Sequence, residues 1–153
     1  MTGAETPARA ETTAPTRLEP PVGAESGAFW DATREGRLLV QWCTACDRGV
    51  FYPRAFCPHC GDGGSALEWR TAAGRATVYA ASVEHRPAPG GFSGGEPYCV
   101  ALIDLHEGVR MMTNIVGCPP DDVRSGMAVE VTWEPLTDGR RLPLFRPAGE
   151  ERS

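Results

Sequence analysis

The sequence predicts a mainly β chain: a short N-terminal helix, then a four-cysteine zinc ribbon, then a five-stranded barrel of the OB type. Three observations carry that expectation. Residues 43–60, CTACDRGVFYPRAFCPHC, hold two Cys-x-x-Cys pairs separated by ten residues, and each pair can wrap a tight turn so that both sulfurs face one ion. Between residues 75 and 146 five short strand-like segments follow one another within about seventy residues, which fits a small closed Greek-key barrel. At 153 residues the chain has the length of one ordinary domain, or of two very small ones sharing a core.

Taken in order, residues 1–27 hold four prolines and no aromatic. They bury too little apolar surface to offset the entropy of ordering them and are expected to be a disordered tail, as are residues 148–153. Residues 28–66 form the helix and ribbon. Phe29 and Trp30 sit on a two-turn helix that Gly36 stops; two aromatics on so short a helix must pack on the ribbon or on another protein. Residues 37–42 lead as a strand into the first knuckle, and Val50, Phe51 and Tyr52 form a short return strand. Residues 67–147 hold the barrel. A short strand over 67–70 comes first, then strands over 75–85, 98–105, 109–117, 127–136 and 142–146. In the first of these five, Val78, Ala80, Ser82 and Glu84 share one face. His106, Glu107 and Gly108 close a tight hairpin, and the connection CPPDDVRSG is too short for a full helix. An SH3-like barrel is the alternative to the OB type.

The chemistry lies in the cysteines. Cys43, Cys46, Cys57 and Cys60 offer four soft thiolates, which select Zn2+ over Ca2+ or Mg2+ but do not separate zinc from iron. Gly61 follows the second pair where a knuckle needs a positive φ, and Asp47 takes that place after the first. His59 lies between two ligands, and its ring cannot easily reach the ion they hold. Four thiolates leave no open position for water, so the metal is expected to be structural. All fifteen basic residues are arginine, which excludes Schiff-base lysine chemistry. No apolar run is long enough to span a membrane and the start does not resemble a signal peptide, so a cytoplasmic protein with reduced thiols and no membrane partner is expected, with Cys99 and Cys118 as ordinary buried thiols. The twelve-residue stretch 86–97, RPAPGGFSGGEP, reads as a mobile loop carrying a single large apolar residue, Phe92, between two Gly-Gly pairs.

The segments 29–61, 74–87, 97–135 and 142–147 resemble the family catalogued as domain of unknown function 35, through the ribbon, the strand ending His85-Arg86-Pro87 and the strand end TNIVG at 113–117. The resemblance implies an N-terminal helix with a rubredoxin-like zinc ribbon followed by an OB fold. It also implies a small non-catalytic subunit of a thiolase-superfamily enzyme (thiolase, acyltransferase or retro-aldolase), in some members accompanied by or fused to a MaoC-type hydratase, with acyl-CoA as the shared ligand. On that reading His85, Arg86, Phe92 and Tyr98, with Asn114 at a barrel mouth, line the face that meets substrate or partner, Arg54 contacts a CoA phosphate, and Phe29 and Trp30 help docking. Plainer roles exist for two of them: Arg54 pairing with an acidic neighbour, and His85 capping its strand.

Two other classes compete. A zinc ribbon plus an OB barrel can grip single-stranded nucleic acid, yet residues 29–147 carry twelve Arg against seven Asp and seven Glu, the opposite of a basic footprint, so no nucleic acid is expected as a partner. An independent enzyme would need a nucleophile and base. Cys99 with His85 is the pair available, and cysteines within strands are far more often core.

Overall fold

The computed structural model describes residues 18–86 and 97–149; the proposed loop aromatic Phe92 lies outside them. Helix α1 spans Gly27–Thr33 and is followed by β1 (Leu39–Cys43), β2 (Arg48–Val50) and β3 (Leu67–Thr71). These strands form an antiparallel sheet in the order β2-β1-β3. Strands β4 (Arg75–Glu84), β5 (Tyr98–Leu105), β6 (Arg110–Ile115), β7 (Ala128–Pro135) and β8 (Arg141–Pro147) close into a barrel in the order β4-β5-β6-β8-β7. That order is the five-stranded OB topology and removes the SH3-like alternative. No helix among the described residues is long and apolar enough to cross a membrane.

Several expectations are corrected. Leu67–Thr71, placed by sequence at the head of the barrel segment, pairs with β1 along its whole length, because β1 has a free edge there and the barrel already closes without a sixth strand. The return strand lies at Arg48–Val50, with Phe51 and Tyr52 beyond its end. In β4 a bulge between Val78 and Ala80 shifts the register against β5. The alternation of buried and exposed side chains ends at this bulge: Ala76 and Val78 are buried, whereas residues 79–82 are all exposed. The end of the expected tail is held to the body: Glu19 accepts hydrogen bonds from the backbone N–H and hydroxyl of Thr137, and the Pro20 carbonyl accepts one from Arg140. At the other end the Ala148 N–H donates to Ala128, extending the β7–β8 ladder by one residue. The short connection after β6 is a single 3-10 turn over Pro120–Asp122.

One core joins ribbon and barrel. Phe29, Leu38 and Val40 pack in the same cluster as Val78, Ile103, Val129 and Phe145, and each such side chain contributes about 1.5–3 kcal/mol by leaving water. Seven residues cannot hold a helix in isolation, so α1 persists because Phe29, Trp30, Ala32 and Thr33 are buried. It ends on Gly36 at φ +70, whose N–H returns to the Thr33 carbonyl. The barrel seam between β6 and β8 is thin, with one parallel pair at Ile115 and Phe145. Side chains fill it: the Tyr52 hydroxyl accepts the Met112 N–H, and the Thr113 hydroxyl donates to the Pro143 carbonyl.

Candidate metal centre and the surfaces beside it

The ligand atoms of Cys43, Cys46, Cys57 and Cys60 all lie within 4.8 Å of one another. The Cys43–Cys60 and Cys46–Cys57 sulfur separations are both 3.7 Å, the edge length of a tetrahedron with metal–sulfur bonds of about 2.3 Å. β1 delivers Cys43 and the second knuckle delivers Cys57, both fully buried, with Cys60 exposed. Asp47 at φ +56 and Gly61 at φ +79 adopt the left-handed turns that both knuckles need. Asp47 also accepts the Trp42 indole N–H at 3.0 Å, a contact unavailable to glycine. Burial and the adjacent sulfurs push the Cys46 thiol up to about 12. At Cys57 burial is outweighed by the Cys60 and His59 backbone N–H groups, which bring the thiol down to about 6. Four such thiols ionise together only when a cation sits among them, so the donor set fits a soft divalent metal.

Around this centre the polar framework is dense. Asp62 accepts the N–H groups of Gly64 and Ala66 and the Ser65 hydroxyl; the Ala66 bond leads in holding its carboxyl below the usual range. Gln41, 7% exposed in the apolar β1, donates its amide N–H to the Arg54 carbonyl and accepts the Arg54 N–H. That bidentate grip fixes the backbone of the segment between the knuckles. A groove of about 560 Å³ runs between the ribbon and the β5–β6 hairpin, with Arg48, Arg54, His59, Glu107 and Arg110 among its walls. A second, apolar cleft of about 490 Å³ opens where α1, ribbon and barrel meet, lined by Phe29, Trp30, Phe51, Tyr52, Met112 and Pro143 among others. Tyr52 and Met112 are 51% and 57% exposed there.

Comparison with known proteins follows this division. Residues 30–68 match the family described as "ChsH2, rubredoxin-like zinc ribbon domain", and residues 69–134 match "ChsH2, C-terminal OB-fold domain". A DUF35 domain-containing scaffold protein of Methanocaldococcus jannaschii is 36% identical over 110 residues, 71% of this chain and 77% of that protein. The chain belongs to the DUF35 family. A probable enoyl-CoA hydratase alpha subunit of Thermomonospora curvata is 40% identical over 134 residues. Those residues are 86% of this chain and only 40% of that subunit. Among solved DUF35 structures, one described as "Ltp2-ChsH2(DUF35) aldolase" superposes with a TM-score of 0.75 at 37% identity, covering 86% of this chain and 100% of that one.

For this DUF35 protein the structure unites the four cysteines, brings His85, Arg86 and Tyr98 to one end of the β4–β5 pair, and places Arg54 on the ribbon. Arg54 stands exposed at the ribbon groove, and among the described residues it meets no carboxylate, the plainer role open to it. Tyr98 opens β5 opposite Glu84, while His85 and Arg86 lie exposed past the end of β4. Asn114 donates to the Cys99 carbonyl and lines a cleft that adjoins the apolar one, sharing Tyr52, Met112 and Pro143 with it. Phe29 and Trp30, 5% and 9% exposed, belong to the core and also line the apolar cleft; their rings pack edge to face at 5.1 Å. Cys99 is buried and burial raises its thiol pKa, the setting of an unreactive cysteine. Sequence reasoning missed Gln41, Asp62 and Arg140. A polar residue inside the apolar run LLVQWC was the available signal for the first, and an aspartate before Gly-Gly-Ser for the second.

Proposed function

We propose that this chain is a non-catalytic, zinc-binding accessory subunit that docks on a thiolase-superfamily enzyme and helps to form its acyl-CoA site. The observation that carries the reading is the exposed apolar cleft at the junction of α1, ribbon and barrel. Exposed apolar surface of that kind marks interaction sites on soluble proteins. The four-thiolate centre supports the non-catalytic part, since its ligand set is already complete. Zinc is the ion the donor set and tetrahedral spacing favour. The names of the relatives point the same way: scaffold proteins, a hydratase subunit and an aldolase assembly. An OB face added to a thiolase-like cleft would close over the pantetheine arm and exclude water from the carbon chemistry. A MaoC-type hydratase is the other partner this surface would suit.

The test is co-expression with a thiolase-superfamily protein encoded beside this chain. The two are expected to co-elute, and acyl-CoA turnover to require both or to rise when both are present. Replacing Met112 by Asp, which puts charge into the cleft, should weaken the complex at least tenfold while leaving the fold intact. Turnover of acyl-CoA by this chain alone would overturn the reading.

A further inference from the structure

Two arginines of the ribbon groove differ in their pairing from those that meet a carboxylate elsewhere in the described residues. Arg34, Arg37, Arg70, Arg110, Arg140 and Arg146 each face a carboxylate within 4.0 Å. Arg48 and Arg54 face none among the described residues, although the chain carries a net charge of -5 and both line the same groove of about 560 Å³. Each guanidinium presents five N–H donors in a rigid fork and stays charged at any physiological pH. Of the two carboxylates in the groove wall, Asp47 accepts the Trp42 indole N–H, and Glu107 accepts the Ala73 N–H at 2.7 Å through one oxygen, while its other oxygen is buried with no hydrogen-bond partner among the described residues.

We infer that this groove binds a phosphate group, with Arg54 and Arg48 as its cationic ligands. Three features set it apart from a solvated surface. Arg54 is anchored, because the buried Gln41 amide holds both its N–H and its carbonyl; the stem of its side chain therefore starts from a fixed point at the lip. Arg48 belongs to β2, whose register against β1 is set by three residue pairs. Arg110, third in the wall, is held by two hydrogen bonds to Asp104, which balances its charge, and stacks 3.4 Å over Tyr79, so that flank is fixed in place. Two guanidinium forks in the wall of one groove suit a phosphate ester or pyrophosphate, whose several anionic oxygens can serve both; one guanidinium already saturates a carboxylate. The volume lies in the range of small-ligand sites. On the reading given above, the ligand is the phosphate end of the acyl-CoA, and the inference rests on that reading for the identity of the carrier but not for the chemistry of the site.

The experiment titrates the full, metal-loaded chain with CoA, 3′-dephospho-CoA, pantetheine and inorganic pyrophosphate, by calorimetry and by the change in tryptophan fluorescence, Trp42 being the one of the four tryptophans that lines the groove. CoA and pyrophosphate should bind, pantetheine should not, and affinity should fall as ionic strength rises. Arg54→Ala should lower CoA affinity tenfold or more and Arg48→Ala severalfold, with metal content and circular dichroism unchanged because both side chains are exposed. Pyrophosphate binding as tightly as CoA would mean that the groove recognises phosphate alone, and a loss on going to 3′-dephospho-CoA would assign the 3′-phosphate; either supports the inference. Equal CoA affinity in wild type and both variants, pantetheine binding as well as CoA, or no binding of any phosphate compound would overturn it. The docking reading is scored separately: Arg54→Ala should still co-elute with the partner, so failure to form the complex and failure to bind phosphate are distinct results.

Discussion

Gly49→Ala tests whether ribbon and barrel act as one body. Gly49 lies in β2, and a methyl group there would sit 2.4 Å from Val109 Cγ1 and 3.5 Å from Trp42 Cζ3. Ordinary carbon contacts lie at about 3.5–4.0 Å, so Val109 must retreat by about 1 Å or more. It is 5% exposed and packed in the shared core, which leaves it nowhere to go without moving the β5–β6 hairpin off the ribbon. Overpacking of this kind costs about 1–3 kcal/mol. Gly49 has no left-handed φ to be strained, and alanine's stiffer unfolded chain returns about 0.4–1 kcal/mol. The net expectation is a loss of about 1–2 kcal/mol, or roughly 2–8 °C in Tm for a chain of this length. Val109→Ala alone removes two buried methyl groups and should cost about 2 kcal/mol. The double variant places the new methyl into the space left, so the two losses should fall short of additive by about 1 kcal/mol or more in a double-mutant cycle. Urea denaturation of the four proteins measures it. Strict additivity, or a Gly49→Ala protein as stable as wild type, would refute the contact between hairpin and ribbon.

Purified protein should carry about one Zn2+ per chain by elemental analysis. Cys57→Ser should lose it and unfold the ribbon, since structural zinc is worth about 10–16 kcal/mol, whereas Cys99→Ser should keep it. Tyr52→Phe leaves the Met112 N–H without its acceptor and should cost about 0.5–1.5 kcal/mol, read as a lower urea midpoint with unchanged metal. Asp138 has its carboxyl held below the usual range, first by the Arg140 N–H and, after burial working against it, by the Arg140 guanidinium. A depressed folded pKa stabilises above the unfolded value of about 3.9 and is lost as pH falls through the folded value. The stability gap between wild type and Asp138→Asn should therefore be constant above about pH 5 and shrink below about pH 4; a gap that widens on acidification would count against this pair.

How much the sequence disclosed depended on the range of the interactions. The ribbon was legible because Cys-x-x-Cys, Gly61 and Asp47 act within one turn of chain, and the barrel strands because alternation is local. The bulge at Tyr79 was not, since nothing in RATVYAASVEH marks which residue is extra. Phe29 and Trp30 announced that the helix must pack, but only the fold shows that Phe51, 5.9 Å from Phe29 between ring centroids, receives it. Arg140 gave no signal at all. It is 6% exposed, stacks 5.0 Å over the Trp30 ring and binds Asp138, the Pro20 carbonyl and Glu19, so that it ties down residues composition had assigned to the tail. The apolar cleft escaped for the same reason, because its walls come from four stretches of chain far apart in sequence.

The metal then has a role that follows from size. Cys43, Val50 and Cys57 are the whole buried cluster at the knuckles, far too little apolar surface to order the segment between them without a cross-link. Yet that segment supplies Phe51, Tyr52 and Pro53 to the apolar cleft and Arg48 and Arg54 to the groove. An ion that never touches substrate would thus decide whether either surface exists. Metal loss should remove partner docking and phosphate binding together, whereas Met112→Asp should remove only the first and Arg54→Ala only the second. If Cys57→Ser protein, shown by elemental analysis to be metal-free, still bound CoA through Arg54, the ribbon would be ordered by the barrel alone and the metal would need another explanation.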